Sequence, residues 1–231
     1  MNAKPRVLAV LDVVTAGLLL VAIGLVFFYA PTERVMGEVQ RVFYFHVATA
    51  WVGMLGFLVA AFAGVVYLIK KDQKWDRVNL AAVEISLVFF FIAIVSGSVW
   101  ARPTWNTWWT WDVRLTTAAI VELIYAAYLL LRQGIDEPER RARFSAVYSI
   151  LGFLSVPITF ISIRLLQTIH PVVIGGDSGG EGGFAMTGEM RLTFFFSLFV
   201  FSVFFIDLLW HRIRLSGLAD KVEQLRLKIV Q

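Results

Sequence analysis

The sequence contains no cysteine, which excludes disulfides, thiolate metal sites and thiol redox chemistry. Only three histidines are present, so any metal or cofactor ligand is drawn from His46, His170, His211, methionine or a carboxylate. Charge is also scarce. Asp, Glu, Lys and Arg make up 16% of the chain, where a soluble domain carries about 25%. With so few polar groups the chain cannot cover itself in water, and 231 residues leave no room for a large separate soluble domain.

What the chain has instead is apolar length. Hydrophobic residues make up 58% of it and the mean hydropathy is +0.73. Six runs stand out: Val7 to Tyr29, Phe43 to Ile69, Leu80 to Trp100, Leu115 to Leu131, Phe144 to Leu166 and Leu192 to Trp210. Each is near the roughly 20 residues that a spanning helix needs. In lipid every backbone polar group must be satisfied within its own segment, so these runs are expected to be helices. A transmembrane barrel would alternate over ten-residue segments, a pattern absent here. The expected fold is therefore an all-α integral membrane protein of six transmembrane helices. The first run exceeds the length of a signal-peptide core and no small-x-small cleavage site follows it, so it reads as an uncleaved helix.

Basic residues orient the bundle. Fifteen of the 21 Lys and Arg fall in four stretches: around Lys4, from Lys70 to Arg77, from Arg132 to Arg143, and from Arg212 onward. The positive-inside rule puts these on the cytoplasmic side, with both termini inside. Topology thus accounts for the net charge of +4, and no nucleic-acid partner is needed. Residues 1–210 read as the membrane domain and 211–231 as a cytoplasmic amphipathic helix. In that tail Leu215, Leu218, Val222, Leu225 and Ile229 recur at alternating three- and four-residue spacing, a short a/d seam. It suits either a helix lying on the cytoplasmic leaflet or one docked on a partner subunit, and both readings stay open.

This orientation gathers three features on the outer face. His46 opens the second helix, His170 follows the fifth, and between them lies the third loop, Trp105-Asn106-Thr107-Trp108-Trp109-Thr110-Trp111-Asp112. His211 falls at the cytoplasmic end of the sixth helix and cannot share their site. Trp51, Trp75, Trp100 and Trp210, each isolated near a helix end, suit an ordinary interfacial belt. Four Trp within seven residues are a different matter, because they make a broad aromatic shelf with indole N–H donors at its edge. If the segment is helical, Trp105, Trp108 and Trp109 share a face and Trp111 points elsewhere.

A flat, apolar, polarisable ligand fits such a shelf, and haem is the obvious candidate. Imidazole is a standard axial ligand of haem iron, and two would fill both axial positions. Their nitrogens would then face each other about 4 Å apart, from metal–nitrogen bonds of roughly 2 Å. Zinc is less suited, since no carboxylate cluster completes a set of three or four ligands. Arg114, just after the loop, and Arg102, just before it, are candidates to pair with haem propionates. Asp112 is placed to cap the next helix. Arg164, Glu84 and Glu122 lie within apolar runs, and the two glutamates are candidates to pair with each other or with backbone. The glycine-rich stretch between Val172 and Glu189 lacks the context of a phosphate loop and reads as a flexible outer loop. No nucleophile–base pair or metal-bound water site is visible, so an enzyme is not expected.

The segment WNTWWTWDVRLT resembles the tryptophan-rich motif of the haem-handling membrane proteins of cytochrome c maturation. Within that group the size, the six helices and the outer histidines are most similar to the CcmC family. The segment from Arg41 to Ala48 resembles the family's first histidine segment, and Thr168-Ile169-His170 resembles the second more loosely. The family pattern W-G-x-x-W-x-W-D has glycine where Asn106 stands here; asparagine tolerates left-handed backbone better than most residues. The resemblance implies haem b held by His46 and His170 as axial ligands, with Trp105, Trp108, Trp109 and Trp111 as the aromatic platform. It further implies a bacterial inner-membrane protein that presents haem on the periplasmic side to a chaperone (CcmE-like). Alongside it would stand ABC transporter subunits (CcmA- and CcmB-like) and a small membrane subunit (CcmD-like). The alternatives are a b-type electron-transfer cytochrome, which normally ligates haem inside the bundle, and a haem or small-solute exporter subunit. A solute transporter predicts matched broken helices, which the sequence lacks. A related cytochrome c synthetase subunit would carry additional histidines.

Overall fold

The computed structural model describes residues 4–33, 36–166, 170 and 186–230. Among these residues seven α-helices follow in order: α1 Arg6–Gly24, α2 Arg41–Lys70, α3 Gln73–Trp105, α4 Val113–Gln133, α5 Pro138–Phe153, α6 Ser155–Leu165 and α7 Gly188–Val230. A π-helical turn, Leu25–Tyr29, extends α1, and α5 and α6 follow one another with only Leu154 between them, so the elements supply six helical segments long and apolar enough to cross a membrane. The protein is a multi-pass membrane protein. Its outward faces are apolar, with Phe28, Phe62, Phe91, Leu123, Phe195 and Phe199 all exposed, as lipid-facing surfaces must be.

Local chemistry sets the helix ends. Between α2 and α3 only two residues intervene: Lys71 turns the chain in a left-handed conformation (φ 55°), and Asp72 accepts a hydrogen bond from the Lys74 N–H at 2.9 Å. That same bond, with the Lys74 ammonium, holds the Asp72 carboxyl below the usual carboxylate range. Pro138 opens α5 at the position where its missing N–H costs nothing. At the far end of α1, the Arg41 guanidinium donates to the Val26 and Ala30 carbonyls, which the end of the helix leaves unpaired. This interaction pins the start of α2 against the end of α1.

Helix α2 is the central element. It lies against α3 most extensively, and against α5 and α7 as well. Lipid is as apolar as leucine, so helices in a bilayer associate by close packing rather than by the hydrophobic effect. Small residues on α2 permit that approach. A Cβ added to Gly56 would lie 2.0 Å from Ser86 Oγ, and one added to Gly64 would lie 3.0 Å from the Ala146 carbonyl. Phe57 of α2 stacks on Tyr125 of α4 with ring centroids 3.7 Å apart and planes within 10°.

Toward the α3 N-terminus a buried polar network ties four helices. Asn79 Nδ2 donates to the Ala60 carbonyl (2.6 Å) and to Ser149 Oγ (2.7 Å), and the Tyr128 hydroxyl donates to Asn79 Oδ1. Arg132 grips Asp76 with two bonds of 2.6 and 2.9 Å. These interactions hold one end of the bundle rigid, and the candidate site lies at the other.

Candidate functional site

His46 sits in the second turn of α2 and its ring enters the interface with α3. Nδ1 lies 2.9 Å from the Ala93 carbonyl and 3.4 Å from Ser96 Oγ, whose hydroxyl itself donates to the Ala93 carbonyl. A carbonyl only accepts, so Nδ1 carries the proton and Nε2 keeps its lone pair. This is the arrangement by which second partners fix the tautomer of a ligating imidazole. Gly97, one turn along α3, makes room for the ring. A Cβ there would lie 2.7 Å from His46 Cε1.

The second imidazole converges on the first. The His46 and His170 ring centroids are 6.3 Å apart with planes inclined at 39°. Two imidazoles bracketing one iron need a centroid separation of about 6 Å, given metal–nitrogen bonds of about 2 Å and roughly 1 Å from each nitrogen to its ring centre.

Both rings line a narrow cleft that is partly open to the surroundings. Its walls come from α2, α3 and α4 together with Thr159 of α6, and they are overwhelmingly apolar and aromatic.

The tryptophan segment reaches this cleft by a route that helical periodicity does not describe. Helix α3 ends at Trp105, and Asn106 then adopts the left-handed conformation (φ 55°, ψ 25°) that folds the chain back. Asparagine thus does the work of the glycine in the family pattern, and the Arg102 side chain holds its carboxamide oxygen. The returning strand of chain is fastened by Ser98 Oγ donating to the Trp108 carbonyl (2.6 Å) and Thr107 Oγ1 donating to the Trp109 carbonyl (2.9 Å). Asp112 caps α4 by accepting from the Leu115 N–H at 2.8 Å.

As a result Trp105, Trp108 and Trp109 do share the cleft, but through a turn rather than a helical face. Trp111 is 77% exposed, does not line the cleft, and packs edge-on against Trp109 at 5.6 Å. Trp108 is also largely exposed, and lies at the mouth.

Three buried N–H groups on this wall lack hydrogen-bond partners among the described residues: Trp100 Nε1, Trp109 Nε1 and Arg114 Nη1. An unsatisfied buried donor costs about 1–3 kcal/mol. Three around one cleft therefore suit a ligand that brings acceptor oxygens. Arg114 lines the cleft, whereas Arg102 is turned to Asn106.

Sequence reasoning missed Trp100, which it assigned to the interfacial belt. The residue is buried, lines the cleft and meets Trp105 edge-on at 5.1 Å. Gly97 and the Ala93 carbonyl were also missed, since neither carries a side chain that announces chemistry.

The remaining expectations fall elsewhere. His211 lies at the opposite end, with Nε2 2.8 Å from Asp12 and 3.6 Å from Asp207, and Lys4 pairs with Asp12. Glu84 does not pair with Glu122 but with Arg212 of α7, at 2.7 Å. Glu122 Oε2 is buried with no hydrogen-bond partner among the described residues. The Arg164 side chain, Pro171 and all but the last few residues of the Gly-rich stretch lie outside the described residues.

Comparison with known proteins places these features in a family context. Residues 1–228 match the family model described as CcmC, Heme exporter protein C. Heme exporter protein C of Bradyrhizobium diazoefficiens is 30% identical over 217 residues, covering 94% of this chain and 80% of that protein. A putative cytochrome c biosynthesis ccmC-like mitochondrial protein of Marchantia polymorpha is 29% identical over 185 residues, 80% of this chain and 78% of its own length. Heme exporter protein C of Escherichia coli is 33% identical over 148 residues, 62% of this chain and 59% of that protein.

Proposed function

The chain belongs to the CcmC family of heme exporter proteins, and from that premise we propose that it binds haem in the cleft beside His46 and presents it at the extracytoplasmic membrane face to a periplasmic haem chaperone for cytochrome c maturation. The family handles haem in membranes and is not a family of enzymes. Haem is the cargo here. The observation that carries the reading is the pair of imidazoles 6.3 Å apart at the edge of an aromatic cleft.

The donor set fits the group. His46 offers Nε2 with its lone pair free, because Nδ1 is committed to Ala93. His170 supplies the opposing axial nitrogen. Arg114 and the indole N–H groups of Trp100 and Trp109 suit propionate oxygens, which supports placing the propionates on the α4 side of the cleft. Charge-assisted bonds of this kind are roughly twice as strong as neutral ones. The proposed porphyrin is haem b; with no cysteine, the chain has no side chain with which to form the thioethers of a c-type haem. Trp108, exposed at the mouth, and Trp111, exposed against Trp109, give a docking chaperone an aromatic surface near the cargo.

The distribution of Lys and Arg supports the inner-membrane orientation with the cleft facing the periplasm and both termini in the cytoplasm. In the same reading the protein works beside ABC transporter subunits of the CcmA and CcmB kinds and a small subunit of the CcmD kind.

The test is to express the chain with haem supply, purify it, and compare absorption spectra of the wild type with His46→Ala and His170→Ala. Each variant is expected to lose or alter the bis-imidazole spectrum, and haem passes from the wild type to a purified chaperone. Unchanged spectra and stoichiometry in both variants refute the axial assignment. Reversible redox cycling without transfer to the chaperone favours an electron-transfer cytochrome instead.

A further inference from the structure

Helix α7 is one uninterrupted helix from Gly188 to Val230, 43 residues. At 1.5 Å per residue it is about 64 Å long, roughly twice the 30 Å hydrocarbon thickness of a bilayer. Its strongly apolar run ends at Trp210, and Arg212 and Arg214 follow at once, as at a membrane boundary. The stretch beyond therefore stands away from the lipid.

On that stretch Leu215, Leu218, Val222, Leu225 and Ile229 form the a/d seam. All but Leu218 are more than half exposed, up to 84% at Ile229. The face toward the bundle is a different one, where Arg212 meets Glu84 and Asp220 meets Arg77 at 3.2 Å. Leu218 apart, which borders a crevice with Arg77, the seam is thus turned away from the rest of the chain.

We propose that this projecting segment of α7 is a docking strip for an amphipathic helix of another protein, one with an apolar seam bordered by acidic residues. Three observations choose this occupant. First, lipid is out of reach: Leu225 lies fifteen residues, about 22 Å, beyond Trp210 along a continuous helix. Second, one border of the seam is a row of cations at seven-residue spacing, Arg214, Lys221 and Lys228, and among the described residues none of them has a recorded ion pair. Arg226 lies on the other border. Third, this charge pattern argues against a second copy. In a parallel pair, Lys221 of one helix would face Arg226 of the other across the g–e′ edge, a like-charge contact that disfavours pairing. An acidic border turns every one of these contacts favourable.

The absence of native cysteine gives a direct test with the full chain in lipid nanodiscs. Val222→Cys is offered a synthetic three-heptad peptide with Leu at a and d, one central a-position Cys as an activated disulfide, and Glu at every e and g. A second peptide carries Lys at e and g. The Glu peptide is expected to couple at least about tenfold faster than the Lys peptide at low salt, with the ratio shrinking as salt rises. Lys221→Glu with Lys228→Glu, both on exposed positions, leaves two border cations against two anions and removes the preference. Leu225→Asp abolishes the acceleration while leaving the membrane bundle intact.

Equal rates for the two peptides with Lys221 and Lys228 in place, or indifference to Leu225→Asp, overturn the proposal. So does faster coupling of Val222→Cys to a second copy of itself than to the Glu peptide. A fluorophore at Leu225→Cys quenched by lipid-borne quenchers in anionic nanodiscs would place the seam on the membrane and overturn it too. None of these readouts depends on haem.

Discussion

Replacing Gly97 with alanine tests whether the orientation of His46 matters for the cargo. The new Cβ would lie 2.7 Å from His46 Cε1, where ordinary contact begins at 3.4 Å, so the ring must retreat by about 0.7 Å. Its Nδ1–Ala93 bond, now 2.9 Å, then stretches to the limit of hydrogen bonding. Losing that bond costs about 1 kcal/mol, and an off-rotamer imidazole about another 1 kcal/mol. Together they amount to a roughly thirtyfold weaker haem affinity, within the 10–100-fold range for removing a partner that orients a metal ligand. The assay is a haem titration of purified protein followed at the main haem absorption band, with thermal unfolding recorded in parallel. The expected result is weakened binding with a midpoint lowered only modestly and unfolding still cooperative, because Gly97 stands at the site end of α3, far from the Asn79–Tyr128–Arg132 network. Wild-type affinity and spectrum in Gly97→Ala would refute the claim that α3 seats the imidazole.

Other perturbations separate the parts of the molecule. Arg114→Ala is expected to weaken haem binding by about 10–100-fold, the loss of a charge-assisted bond, and to bind haem dimethyl ester no worse than haem; retained discrimination against the ester would clear Arg114 of contact with the propionates. Arg132→Ala strands Asp76 in a site where both side chains are about nine-tenths buried, and is expected to lower stability by about 3–5 kcal/mol, read from unfolding in mild detergent. Asn106→Gly is expected to be neutral, whereas Asn106→Val forces a β-branched residue into left-handed backbone at a cost of about 1–2 kcal/mol and lowers haem affinity by disturbing the Trp108–Trp109 turn. Gly56→Leu drives side-chain atoms into Ser86 and Phe205, and is expected to yield no monodisperse protein on size exclusion.

Much of the architecture was legible because a bilayer imposes a length rule. Six runs of about twenty apolar residues predicted six spans, and the helices begin and end within several residues of those runs except where soluble-phase chemistry takes over. Leu80 to Trp100 became Gln73–Trp105 because Asp72 caps the helix earlier than hydropathy rises, and Leu192 to Trp210 became Gly188–Val230 because nothing in the polar tail breaks the helix. The candidate site was legible where its residues are chemically unusual. Two histidines and a cluster of tryptophans announce themselves by type, and topology alone put them on one face.

What the sequence withheld is the part of the site made by backbone. A helix carbonyl is present at every position, so nothing marks Ala93 as the one that would fix the His46 tautomer, and a glycine in a membrane helix is too common to signal that an imidazole needs its space. The same holds for Trp100. By position it belongs to the interfacial belt, and it joins the cleft because Asn106 folds the following chain back so that Trp108 and Trp109 wall the same cleft, while Trp105 of its own helix meets its edge. Ligand identity is thus written in side chains, whereas ligand aim is written in the contact between α2 and α3. This is why the substitution that discriminates best between a true ligand and a buried structural histidine is at Gly97 rather than at His46. Removing the ring abolishes either role, but moving it by a fraction of an ångström weakens only the one that depends on direction.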